Sequence, residues 1–170
     1  MLKKEVADLL EQQIVKELYS AYLYLDMSNY YYDKNLDGFG NWFKVQAQEE
    51  RDHAMLFLTY LQNNDVCPKL GAIDAPDKVY NSFRDPLVEA LAHEQYVTAL
   101  INDIYAEAMK ANDFRTLQFL DWFIKEQGEE EKTSSDLIGR FDLFGSDAKS
   151  LYALDAEMAA RTYSAPSLVL

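Results

Sequence analysis

The chain has 170 residues, enough for one domain with a sizeable core, and is 49% hydrophobic and 26% charged with only 6 glycines and 4 prolines. Long Ala/Leu/Glu/Tyr-rich stretches with so few breakers point to an all-α protein, read as one domain over residues 1–170. The net charge of −13, from 29 acidic against 16 basic residues, excludes a nucleic-acid partner and a basic patch for anionic membrane, and favours cations instead. A single cysteine, Cys67, excludes an intrachain disulfide framework and fits a reducing, cytoplasmic setting.

In chain order, the first residues carry a basic pair followed at once by acids, which is not a secretory signal. No run approaches the length of a membrane span. The first predicted helix covers roughly 3 to 33, with the stripe Leu10, Ile14, Glu17, Ala21, Tyr24, Ser28. A polar break follows, in which Gly38 and Gly40 read as turn residues, and a second helix is expected from about Asn41 to Asn63. Its face carries Phe43, Gln46, Glu50, His53, Phe57 and Tyr60. Residues 64 to 84 lack helical periodicity and contain Pro68, Gly71 and Pro76. A connection this long is unusual in a compact domain, and one that travels the length of a bundle to join two parallel helices explains it.

The third helix opens at Asp85-Pro86, read as an N-cap acid with proline at the first helical position, and its stripe passes through Leu87, Leu91, Glu94, Ile101 and Tyr105. The break at 111–113 is compatible with either a reversal or a bend. The fourth helix presents Leu120, Phe123, Gln127, Glu130, Ser134, Leu137 and Phe141. After a turn at 145–147, capped by Ser146 or Asp147, a short fifth helix is expected over about 148 to 162, followed by a short apolar segment too brief to anchor anything.

Glu17, Glu50, Glu94 and the Gln127/Glu130 pair therefore interrupt four apolar stripes near mid-helix. Burying carboxylates without compensation costs several kcal/mol per ion. A lone acid of this kind usually snorkels at a bundle edge; four of them, joined by a histidine, point to bound cations. Glu50-x-x-His53 places an oxygen and a nitrogen on one side of a helix, a donor set suited to iron or manganese, and Glu50 can bridge two metals. Di-iron bundles take single glutamates from two helices and Glu-x-x-His from two others. Glu17 and Glu94 fill the single-Glu roles and Glu50/His53 one pair, but the fourth helix offers Gln127 and Glu130 with no histidine. Glutamine is the weaker ligand, so Glu130 carries more of the second metal, which is then the less tightly held. Four carboxylates balance two divalent ions, with His53 neutral.

Glu49, Glu126 and Glu129 lie one helical step beside this stripe, where both a looser third cation site and a plain solvated face are compatible with the pattern. Tyr24, two turns after Glu17, suits either contact with a metal ligand or a core tyrosine with its hydroxyl satisfied. The tyrosines at 30–32 read as packing, as does Trp122, although its place on the fourth helix also suits an electron donor. His93, one step off the Glu94 stripe, reads as structural or surface.

Taken together, Glu17-Leu18-Tyr19-Ser20 with Tyr24, Ala47-Gln48-Glu49-Glu50-Arg51-Asp52-His53, His93-Glu94-Gln95 and the segment Glu126-Gln127-Gly128-Glu129-Glu130-Glu131-Lys132 resemble bacterial non-haem ferritin over essentially the whole chain. The resemblance implies a ferritin-like four-helix bundle with a long crossover between the second and third helices and a short fifth helix. It implies a ferroxidase centre in which Glu17, Glu50 and His53 hold one iron and Glu50, Glu94 and Glu130 the other, with Gln127 close by and Tyr24 beside the centre. It further implies a third iron site of Glu49, Glu126, Glu129 and Glu130, and a shell of twenty-four subunits in which iron is stored as ferric mineral. Asp52 stands where haem-binding relatives carry methionine, and a second Glu-x-x-His is missing, so no haem is expected. Gly128 is a poor helix former that loosens the third set. A rubrerythrin-type peroxidase is excluded by the single cysteine, and a DNA-protecting mini-ferritin is disfavoured by the acidic charge.

Overall fold

The computed structural model describes residues 2–170; Met1 lies outside them. Within them the chain forms five helices and no strand: α1 Lys4–Asp33, α2 Asp37–Asn63, α3 Asp85–Lys110, α4 Phe114–Phe144 and α5 Ala148–Met158. Among the described residues no helix is long and apolar enough to cross a membrane.

The packing partners fix the directions. Glu17 of α1 meets Glu50 and His53, and Ser28 Oγ donates to the Gly40 carbonyl (2.7 Å), so α1 and α2 are antiparallel. Ser20 Oγ meets His93 Nε2 (2.8 Å) while the Tyr31 hydroxyl donates to the Phe83 carbonyl (2.6 Å), so α3 is also antiparallel to α1 and hence parallel to α2. The break at 111–113 is a reversal: Arg84 pairs with Asp142 at one end of the α3–α4 pair, and the Tyr105 hydroxyl donates to Asp121 at the other. Asn112 takes a left-handed φ of 53° in that turn, and Asp113 caps α4 by accepting from the Thr116 amide (3.2 Å). The two parallel helices are joined by the non-helical crossover 64–84. It follows α1 upward, from Glu11, which accepts from the Lys69 amide, to the ring of Tyr30, against which Tyr80 packs at 5.1 Å.

Three helix ends differ from the sequence expectation. The α1–α2 turn is tighter than the glycines suggest: Asn35 supplies the left-handed residue (φ 59°), and α2 starts at Asp37, so Gly38 and Gly40 are helical. They are small for close approach. A Cβ on Gly38 would lie 1.7 Å from the Asp155 carbonyl oxygen of α5, and one on Gly40 2.8 Å from the Tyr32 ring. Second, Arg84 rather than Asp85 is the N-cap of α3; the Asp85 carboxylate turns back to accept from the amides of Asn81 (2.7 Å) and Ser82 (3.0 Å), closing the crossover instead of the helix. Third, α5 ends at Met158, short of 162, because the chain leaves the helix to run back over α2 and α4.

Since the obstruction at Gly38 is backbone, Gly38→Ala is expected to cost roughly 1–3 kcal/mol or more through overpacking and to loosen α5, readable as a lower thermal midpoint. An unchanged midpoint would show that α5 is not clamped there.

The core is divided. One apolar cluster contains Leu10, Ile14, Ala54, Phe57, Val97, Ile101, Leu120 and Phe123. The other contains Leu23, Tyr24, Phe39, Trp42, Phe43, Leu87, Ala90, Leu137 and Leu154. In sequence, Glu17, Glu50, Glu94 and Glu130 each fall between members of the first cluster and members of the second. The bundle therefore carries a polar layer at mid-height, plugged above and below by apolar side chains.

Candidate metal centre

Each helix of the bundle delivers one carboxylate to this layer, and water is nearly excluded: Glu17 and Glu94 are 1% exposed, Glu50 and His53 2%, Gln127 3% and Glu130 7%. Two triads form, Glu17/Glu50/His53 and Glu50/Glu94/Glu130, in each of which one ligand atom per residue lies within 4.8 Å of the others. Glu50 belongs to both. One triad offers two oxygens and a nitrogen, the other three oxygens, a donor chemistry that fits a pair of divalent first-row ions. An unpartnered buried oxygen, Glu17 Oε2, supports the fit, since an atom of this kind calls for a cation or a proton.

A surrounding set of hydrogen bonds orients these groups. Gln13 Nε2 donates to Glu17 Oε1 (2.9 Å). Gln46 Nε2 donates to both Glu50 Oε1 (2.9 Å) and Glu130 Oε2 (2.8 Å), tying α2 to α4. The Tyr24 hydroxyl donates to Glu94 Oε1, and Gln127 Nε2 to Glu94 Oε2 (3.1 Å). Gln127 thus meets the centre through Glu94, with its amide nitrogen rather than its oxygen directed there. The sequence carries only a local signal for the Gln13 and Gln46 contacts: both precede an acid by four residues, the spacing that lets a glutamine donate to it.

The electrostatics follow from burial and crowding. Burial, then the charge of Glu50, raises Glu17 to about 8 and Glu130 to about 7. The same two causes raise Glu94 well above the usual carboxylate range. Burial alone would raise Glu50 too, but His53 beside it (Nδ1 to Oε2, 3.3 Å) brings it below its ordinary value. For His53, burial favours the neutral ring, yet Glu50 and its neighbours push it up to about 10. Without metal, the layer is therefore held together by protons.

The other candidates fall around it. Tyr24 is buried, its phenol held in the neutral form by burial and Glu94. His93 is buried as well, bonded to Ser20 and packed by the rings of Tyr19, Tyr24 and Tyr96, and burial lowers its basicity. Trp122 packs edge-on against His53 with ring centroids 5.5 Å apart. Glu49, Glu126 and Glu129 line a neighbouring cavity of about 270 Å³ together with Glu130 and His53. They do not converge as the two triads do: Glu49 is paired with Arg161, and Glu129, largely exposed, with Lys125 at 3.1 Å.

A parallel-crossover helical bundle with two buried triads that share one carboxylate defines the class: a helical-bundle protein with donor sets suited to a pair of metal ions. Residues 7–144 match the ferritin-like domain family. The chain is 37% identical over 155 residues to a bacterial non-heme ferritin of Campylobacter jejuni, covering 91% of this chain and 93% of that one. It is 33% identical over 159 residues to a bacterial non-heme ferritin of Escherichia coli, covering 94% and 96%. Among solved structures it superposes on an engineered closed form of the Archaeoglobus fulgidus ferritin with a TM-score of 0.94 at 36% identity, covering 96% of this chain and all of that one. On the open-pore ferritin of the same archaeon the TM-score is 0.93 at 36% identity, with 95% and 100% covered. The chain belongs to the ferritin family.

Proposed function

We propose that this ferritin is a ferroxidase and iron store that oxidises Fe(II) at the paired triads, with Glu17, Glu50 and His53 holding one iron and Glu50, Glu94 and Glu130 the other. The observation that carries the reading is the shared Glu50: two ligand sets with a common carboxylate hold two substrate ions close enough to act on one oxidant. Two Fe(II) together supply the two electrons that take O2, with two protons, to H2O2. The protein binds and orients the pair, and stabilises the product with anionic oxygen ligands. Glu17 and Glu94, protonated in the absence of metal, release protons as iron enters. Gln46 keeps Glu50 and Glu130 in register, and Tyr24 with Gln127 orients Glu94. Tyr24, bonded to Glu94, and Trp122, with its ring centroid 5.5 Å from that of His53, are oxidisable side chains in contact with the ligand residues.

Storage requires a shell, and an outer face suited to self-association supports one. Leu18, Ala21, Tyr22, Leu25, Ala47 and Ile73 line a shallow apolar depression on α1, α2 and the crossover, with Tyr22 49% and Leu25 44% exposed. A homo-oligomeric cage of twenty-four subunits made of this one domain, cytoplasmic and without haem, completes the reading. Aerobic addition of Fe(II) tests it. A ferric absorbance rise, with iron co-eluting with protein at cage mass, is expected; no rise would overturn the ferroxidase claim, and a monomer would overturn the store.

A further inference from the structure

The segment after α5 folds back along the bundle and lies over the acidic cavity between α2 and α4. Its path is fixed at several points. The Asn41 amide donates to the Arg161 carbonyl (3.0 Å), the Tyr163 hydroxyl donates to Asp52, and Trp122 Nε1 donates to Ser167 Oγ (2.9 Å). Ser164 lines the cavity beside Glu49, and Leu168 packs onto the apolar cluster beyond. This seats the Arg161 guanidinium at the cavity. It pairs with Glu49, stacks over the Trp42 ring with 4.1 Å to the centroid, and reaches the Trp42 carbonyl. Both partners of the ion pair are mostly buried, at 20% and 17% exposed.

A guanidinium cannot lose its charge and presents its donors in a rigid fork matched to carboxylates. Stacked on an aromatic face and shielded from water, it is a stronger competitor for a carboxylate than a surface lysine. Glu49 is the only acid that α2 directs into this cavity besides those of the triads, and it is committed to Arg161. The acids of α4 remain, but Glu129 is splayed toward Lys125.

We propose that Arg161 is a tethered cation in the place a third metal would take among Glu49, Glu126, Glu129 and Glu130, so that this chain holds two tightly bound metals per subunit while residues 159–170 are seated. The inference rests on the two-metal reading only for the count from which it departs. By linkage, a third metal must displace Arg161 and loosen the segment, and a loosened segment must bind the third metal better.

Zinc binding to the whole assembled protein provides the test. Wild type is expected to bind two Zn(II) per subunit, and Arg161→Met three, its third step at least ~10-fold tighter than any third step of wild type. Arg161→Lys, which keeps the charge but loses the fork, is expected to fall between them. Equal third steps in wild type and Arg161→Met would overturn the proposal. Fewer than two tight zinc ions in wild type would count against the two-metal reading, and the difference between the variants would still decide the role of Arg161. Glu49→Gln is an independent check on the anchor. Amides over 161–167 are expected to exchange at least ~10-fold faster in it than in wild type, a loss of local stability of about 1.4 kcal/mol. Unchanged protection there would also overturn the proposal.

Discussion

Glu50→Gln is expected to lower the rate of paired Fe(II) oxidation at least ~100-fold, equivalent to about 2.7 kcal/mol of barrier. The side chain keeps its size, so the effect isolates the charge and the second ligating oxygen. Glu50 is the one carboxylate of the layer pushed below its ordinary value, by His53 beside it, and it is the one present in both triads. Replacing it leaves a single, weaker amide oxygen where two carboxylate oxygens served both irons, and so removes the link that keeps the irons together. It also leaves His53 without the carboxylate that faces it at 3.3 Å. Glu17→Gln differs in kind, since Glu17 serves only the triad with His53. In zinc titrations Glu17→Gln is expected to lose one tight metal and Glu50→Gln both, while initial ferric absorbance at two Fe(II) per subunit reads the rate. Glu50→Gln oxidising at the wild-type rate would remove the bridging role altogether.

Most of this arrangement is legible in the sequence because the relevant information is periodic. A helix repeats every 3.6 residues, so an acid at the centre of an apolar stripe is visible as an interruption, and Glu50 with His53 at i, i+3 declares a shared side. The parallel pairing of α2 and α3 is likewise visible, through the length of a crossover that no hairpin needs. What spacing does not carry is distance between helices. That Gln46 reaches Glu130, eighty-four positions away, and that Arg161 reaches Glu49 depend on packing alone. The same limit explains Gly38. As a letter it reads as a turn; its reason is the Asp155 carbonyl of α5, which leaves no room for a Cβ inside a helix that otherwise continues. Asp85 misleads in a related way. It has the residue type and position of an N-cap, but its oxygens find the Asn81 and Ser82 amides first.

The second large effect is on stability rather than rate: the metal-free protein is expected to become less stable as pH rises from about 5 to 9, and zinc to cancel the loss. Glu17 titrates near 8 in the fold and Glu130 near 7, against 4.5 as ordinary carboxylates, and Glu94 is also raised. His53 moves from 6.5 to about 10. Each group holds its proton in the folded state at a pH where the unfolded chain has released it. The native state thus binds more protons, and unfolding free energy falls with pH. The contribution is complete below the unfolded values and is lost as pH climbs through the folded ones. Glu50 has the opposite sign, being lowered, so its contribution is present above 4.5 and disappears only on the acid side of that value. With about two to three extra protons bound near neutrality, the slope is roughly 3–4 kcal/mol per pH unit, or on the order of ten degrees in thermal midpoint. Metal replaces those protons, and its binding strengthens as the ligands deprotonate. Two sites at a hundredfold excess over Kd would add about 5 kcal/mol. Melting curves with and without Zn(II) should therefore lie close together near pH 5 and diverge by ten degrees or more at pH 8. A metal-free midpoint that stays level or rises over that range would mean that the acids are not held in the layer as protonated, mutually crowded groups.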